Sequence, residues 1–153
     1  MTGFILTLTS LLIIVLFASQ VAGRLDRLHR RVSSARTTLW RRCNERYEVA
    51  IATGVPEIVA AAEAAKLAAS SSLFSAPHLF TESELTRALQ DYASDLPMQL
   101  AQVRVQDARR MYNEAVRSTM YLRSWRIARW LRLSGRASAP RYVDFDDGIL
   151  QSI

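Results

Sequence analysis

Arg123, Arg126, Arg129 and Arg132 recur at every third position late in the chain, with Trp125 and Trp130 among them. On an α-helix, steps of three rotate by about 300°. The four guanidinia therefore sweep half the circumference and leave Ile127, Ala128 and Leu131 on the other half. Such a segment suits an anionic bilayer surface, with arginines at phosphate level and indoles at the boundary. A second basic group, Arg24, Arg27, Arg30 and Arg31, has only Asp26 against it and joins the same set of anionic-lipid contacts. Each basic residue beside such a surface contributes about 1 kcal/mol. The plainer reading of the ladder is a solvated helix end whose cations complement the helix dipole, and both readings stand at this level.

Other chemistry finds few parts. His29 lies in a basic stretch and His78 beside Pro77, neither in a metal-ligand spacing, so both read as surface residues. Asp144, Asp146 and Asp147 crowd around Phe145 but lack the glycine turn and distal Glu of a calcium loop, so they read as a solvated tail. Glycine-rich phosphate loops and nucleophile elbows are absent. No catalytic residue, cofactor or metal is assigned, and the reading is of a protein that is not an enzyme. The net charge of +6 raises nucleic acid as a partner, but no helix-turn-helix, RNA-recognition or zinc-finger pattern accompanies it. A voltage sensor would need neighbouring spans with acidic partners, and the sequence offers one span.

That span is residues 2–23, which carry no charge. Twelve of the nineteen residues Phe4–Ala22 are Phe, Ile, Leu or Val, enough to cross a hydrocarbon layer of ~30 Å. A cleaved signal peptide would want basic residues before the apolar run and a small-x-small site after it, so an uncleaved anchor is expected. The arginines that follow place the N-terminus outside and residues 24–153 in the cytoplasm of a single-pass cell-membrane protein. Cys43, the single cysteine, excludes a disulfide framework and would be a reduced thiol in that compartment.

The remaining apolar pattern is helical throughout. Leu28, Val32, Ala35, Leu39, Cys43, Tyr47 and Ala50 follow in coiled-coil-like steps of three and four. Gly54-Val55-Pro56 ends that helix and starts an alanine-dominated one over 57–69. Thr81 and Glu84 read as a capping box, with Phe80 and Leu85 as its hydrophobic staple, for a third helix ending at Leu96-Pro97. A fourth runs from Met98 to about Leu133, with an apolar stripe of Leu100, Ala108, Met111, Tyr112, Ala115, Thr119 and Leu122. The expected fold is all-α: a transmembrane anchor (1–23), an elongated antiparallel bundle of about four helices (24–136) and an irregular acidic tail (137–153). Residues 24–54 hold eight basic against three acidic groups, 55–97 two against six and 98–136 nine against two. The acidic short helices thus offset the inner arginines, and the surplus collects at the membrane-proximal ends.

Read in full, Ala108-Arg109-Arg110-Met111-Tyr112-Asn113-Glu114-Ala115-Val116-Arg117 resembles the C-terminal helix signature of the LemA family. The gross layout is similar too: an apolar N-terminal span, a long helix, a late Tyr-Asn helix and a short aromatic-acidic ending, here Tyr142-Val143-Asp144-Phe145. The family's Tyr-Asp-Leu-Ile-Pro run is met only by Tyr47-Glu48-Val49 and a displaced Pro56, as in a divergent member. The resemblance implies a bacterial, single-span, N-terminally anchored protein with a helical domain, marked by Arg109, Arg110, Tyr112, Asn113, Ala115, Val116 and Arg117, and it implies no reaction.

The functional expectation is a membrane-bound scaffold or protein-interaction module with a basic surface beside the bilayer. Its alanine-lined second helix leaves a shallow core for a second copy or a protein partner to complete. The alternatives are an accessory subunit of a membrane enzyme such as a protease, and, with less in the sequence to support it, a nucleic-acid-binding protein.

Overall fold

A computed structural model describes residues 2–90, 95–125 and 139–146. Four helices account for almost all of it: α1 (Thr2–Ala52), α2 (Pro56–Ser71), α3 (Ala76–Ala88) and α4 (Leu96–Ser124). Among the described residues there is no strand. The chain divides into two compact units, one of 1–34 with 114–141 and the other of 35–113 with 142–153.

In the first unit the start of α1 is apolar and bare. Every residue from Thr2 to Phe17 is exposed, from Phe4 at 74% to Phe17 at 46%, and by length and composition α1 can cross a membrane. Its hydroxyls are turned inward: Thr7 donates to Phe4 O at 2.9 Å, Thr9 to Ile5 O at 2.8 Å and Ser10 to Leu6 O at 2.9 Å. Back-bonding of this kind satisfies a hydroxyl without solvent. Beyond the apolar run, Val21, Leu25 and Leu122 form a small core, with Leu28 and Trp125 packed against it. The sequence pattern carries α4 to about Leu133. The helix ends at Ser124 with Trp125 in a bend, and Arg126, Arg129, Trp130 and Arg132 lie outside the described residues.

The second unit is a helical bundle closed on itself. On α1, Leu39, Cys43, Tyr47 and Ala50 are fully buried, as their spacing predicts. The helix stops where it must: Thr53 and Gly54 donate to Ala50 O and Ile51 O, each at 3.2 Å, and Gly54 takes φ +67°, a conformation glycine enters at little cost. Pro56 then opens α2, whose buried face is Ile58, Ala62, Ala65 and Ala69. Three alanines on that face let α2 lie close to α3, its packing neighbour.

Helix α3 differs from the sequence expectation. Its N-cap is Ser75 and Pro77 sits in its first turn, so the helix starts about six residues before the Thr81-Glu84 box. Pro77 has no N–H to leave unpaired at that position. Thr81, already inside the helix, returns its hydroxyl to Pro77 O and His78 O at 3.2 and 2.9 Å; Glu84 pairs with Arg87; and Phe80, the staple residue, is 63% exposed. The helix also ends earlier, at Ala88. On α4 the buried face begins with Met98, Ala101 and Val105 and continues through Ala108 and Tyr112. Leu100 and Met111, placed in the stripe by the sequence pattern, point to solvent, Met111 at 67% exposure.

Candidate functional site

At the centre of the second unit lies a cluster of polar side chains. Arg46 and Tyr47 come from α1, His78, Glu82 and Thr86 from α3, and Gln102 from α4, all essentially fully buried. The three α3 residues share one face because they stand four apart. Arg46 Nη2 pairs with Glu82 Oε2, while Arg46 Nη1 donates to Gln102 Oε1 at 2.7 Å and to Thr86 Oγ1 at 3.3 Å. The Tyr47 hydroxyl donates to Glu82 Oε1. The backbone N–H of Phe74 donates to His78 Nδ1 at 3.0 Å, so a neutral His78 carries its proton on Nε2. That atom stands 3.0 Å from the Tyr47 oxygen and 3.2 Å from Glu82 Oε1, either of which accepts.

The electrostatics follow from this wiring. Burial by itself would raise the Glu82 carboxyl; the charge of Arg46 and hydrogen bonds from His78 and Tyr47 together outweigh burial and hold it below the ordinary carboxylate range. Burial, then the nearby Glu82 charge, pushes the Tyr47 hydroxyl far up, so it stays a donor. The Cys43 thiol is raised for the same two reasons, against a smaller opposing pull from Arg46. Within the cluster, Arg46 Nε alone is a buried side-chain polar atom without a hydrogen-bond partner. The cluster thus fixes three helices in register through one enclosed carboxylate. With Glu82 and His78 wholly enclosed, its groups meet one another and not a solute.

Sequence reasoning placed His78 at the surface, and the structure buries it. The error follows from the helix start: with α3 beginning at Ala76, His78, Glu82, Leu85, Thr86 and Leu89 form one buried stripe. The i, i+4 pair His78 and Glu82 was the available signal.

A second polar feature joins the C-terminal segment to α4. Asn113 clasps Val143 twice, its Nδ2 donating to Val143 O at 2.8 Å and its Oδ1 accepting from Val143 N at 3.0 Å. Val143 and Phe145 are buried, the Arg109 guanidinium stands 5.6 Å over the Phe145 ring, Arg109 Nη1 pairs with Asp144 at 3.1 Å, and Asp146 N donates to Ser83 Oγ at 3.1 Å. Val143 and Phe145 thus dock the segment 142–146, where the sequence reads a solvated tail, while Tyr142, Asp144 and Asp146 stay exposed; Asp147 lies outside the described residues.

Other residues singled out in the sequence fall as follows. Tyr112 is buried, its ring 6.0 Å from that of Phe74, and Ala115 and Val116 are buried, whereas Arg110 and Arg117 are exposed, Arg117 lying 3.4 Å from Glu114. Arg24, Arg27, Arg30 and Arg31 are all exposed, and Arg30 pairs with Asp26. Arg123 is half-buried and donates to His29 Nε2 at 3.4 Å. Trp125 meets Tyr121 edge-on at 6.0 Å. Among the described residues no three His, Cys, Asp or Glu gather as a metal site.

Compared with known protein families, curated proteins and solved structures, the chain finds no match.

Proposed function

We propose that this protein is a single-pass membrane protein whose helical bundle serves as a scaffold or protein-interaction module at the inner face of the cell membrane. The observation that carries this reading is the run from Phe4 to Phe17, exposed along its whole length and with its hydroxyls bonded to its own backbone. Such a surface is stable in hydrocarbon and costly in water. Arg24, Arg27, Arg30 and Arg31 directly after it favour an N-out topology by the positive-inside rule. The enclosed Arg46–Glu82 cluster supports a structural role for the bundle, since its groups hold helices together. The Asn113 clasp gives a physical use to the Tyr-Asn helix on which the LemA resemblance rests.

The experiment has two arms. In the first, protease is added to intact spheroplasts: the reading expects residues 24–153 to stay protected until lysis, and digestion without lysis overturns the topology. In the second, the chain is purified in mild detergent after cross-linking in the membrane. A homo-oligomer supports the scaffold reading, whereas a stoichiometric membrane enzyme replaces it with the accessory-subunit reading.

A further inference from the structure

A groove of about 660 Å³ opens in the first unit where the apolar run of α1 meets its first charges. It is lined by Phe17, Gln20, Val21, Arg24, Arg27 and Leu28 of α1, and by Leu122 and Trp125. Its volume falls within the range of small-molecule sites. Its two ends differ in chemistry: Phe17 and Val21 belong to the charge-free stretch, and Arg24 and Arg27 are the first two cations after it. The Arg27 side chain folds back along the helix, so that a Cβ built on Gly23 would stand 3.9 Å from its Nη1, which brings its charge toward the apolar end. Among the described residues neither Arg24 nor Arg27 has an ion-pair partner, whereas Arg30 is held by Asp26.

We infer that this groove binds one anionic phospholipid, the phosphate between Arg24 and Arg27 and the first part of an acyl chain along Phe17, Val21 and Leu122, with Trp125 at the glycerol level. The inference rests on the membrane reading above. If residues 4–22 fill the hydrocarbon, Arg24 and Arg27 stand at the depth of the phosphates, and the apolar half of the groove faces acyl chains. A zwitterionic lipid would fill the apolar half equally well but leave the two guanidinia without net neutralisation. An arginine fork also suits phosphate oxygens. Of the basic residues counted as one group in the sequence, Arg24 and Arg27 line the groove, whereas Arg30 pairs with Asp26 and Arg123 meets His29.

The test uses the full chain in nanodiscs, with Trp40→Phe and Trp130→Phe so that Trp125 alone reports. Phosphatidylglycerol or phosphatidylcholine with brominated acyl chains is titrated into a phosphatidylcholine bilayer, and quenching of Trp125 is followed. Brominated phosphatidylglycerol should quench at markedly lower mole fraction. Arg24→Gln and Arg27→Gln should each weaken that preference about fivefold, the weight of one basic residue beside an anionic surface, while Arg87→Gln, on α3 in the second unit, should leave it within twofold. Excess inorganic phosphate should not displace the lipid; displacement would reassign the site to a free phosphate and overturn the lipid assignment. Equal quenching by both lipids, or a preference that survives loss of both arginines, also overturns it. So does loss of quenching on self-association, which would make a second copy the occupant. A chain that stays out of the discs refutes the membrane reading, and an inserted chain without headgroup preference refutes only the groove.

Discussion

The Arg46 guanidinium and the Glu82 carboxylate, 36 residues apart in the chain, form an ion pair from which solvent is wholly excluded. Taking two charges out of water costs several kcal/mol per ion, and the pair offsets this only through good geometry and further hydrogen bonds. Here Gln102, Thr86, Tyr47 and His78 supply those bonds.

Removing one partner should therefore cost more than removing both. Glu82→Leu or Arg46→Met alone should destabilise the second unit by about 3–5 kcal/mol, because the remaining charge is buried unpaired. The double variant should cost clearly less than the two singles added. Urea unfolding of the four proteins in one detergent, followed by far-ultraviolet circular dichroism, checks this. Simple additivity would mean that the two charges do not act as a pair.

The pH dependence has a definite sign. In the folded chain the Glu82 carboxyl lies below its ordinary value despite burial, chiefly through Arg46, while in the unfolded chain it returns to about 4.3. Its contribution to stability is thus fully present above about pH 4.3 and is lost as pH falls through the depressed native value. The stability gap between the parent chain and Glu82→Gln should hold steady above about pH 5 and shrink below about 4.3. A gap that widened on acidification would contradict an ionised Glu82.

Local signals in this sequence were readable, and distant ones were not. Gly54 and Pro56 end one helix and start the next because each acts on its own backbone, whatever the rest of the chain does. The long register Leu39, Cys43, Tyr47 and Ala50 was equally plain, being a pattern internal to one helix. The start of α3 was not, because two start signals compete within seven residues: Ser75 with Pro77, and Thr81 with Glu84. A start read at Thr81 leaves His78 outside the helix and hides the stripe it shares with Glu82. On α4 the stripe holds at Ala108, Tyr112, Ala115, Thr119 and Leu122 and misses only at Leu100 and Met111, where an apolar side chain stands about 100° off the buried face. The Arg46–Glu82 pair was invisible for a further reason: nothing in the chain near Arg46 announces a carboxylate 36 positions away.

The C-terminal segment should depend on Asn113. Its side chain makes two reciprocal bonds with the Val143 backbone, and Asn113→Ala would leave a partly buried N–H and C=O without them, at about 1–3 kcal/mol for the docked state. Hydrogen exchange at residues 142–146 should accelerate in this variant, with exchange in α2 and α3 unchanged. Asn113→Asp, which sets a carboxylate oxygen against Val143 O where the amide donates, should accelerate exchange at least as much. If exchange at 142–146 does not change, the segment is held by the burial of Val143 and Phe145 and the contacts of Asp144 and Asp146, and not by the clasp.

Gly54 tests the turn between α1 and α2 without a steric complication. Its φ is +67°, and a Cβ built there meets nothing within 4 Å. Gly54→Ala should accordingly cost only the left-handed backbone penalty, about 1–2 kcal/mol, partly offset by the lower entropy of the unfolded chain. A lowered urea midpoint with unchanged slope reports this. A larger loss would indicate that the turn shifts.

Cys43 offers an internal clock for opening of the second unit. The thiol is fully buried; burial first, and then the Glu82 charge, pushes its ionisation far up, so the thiolate that reacts with alkylating reagents does not form in the folded state at neutral pH. Labelling by iodoacetamide should then proceed only through unfolding and should track its equilibrium when closing is fast. A variant destabilised by about 3 kcal/mol, such as Glu82→Leu, should label more than a hundredfold faster than the parent, while Arg31→Gln should label at the parental rate. Mass spectrometry of the single modified peptide gives the rate directly. Rapid labelling of the parent chain without denaturant would mean that the helices around Cys43 open independently of the Arg46–Glu82 pair.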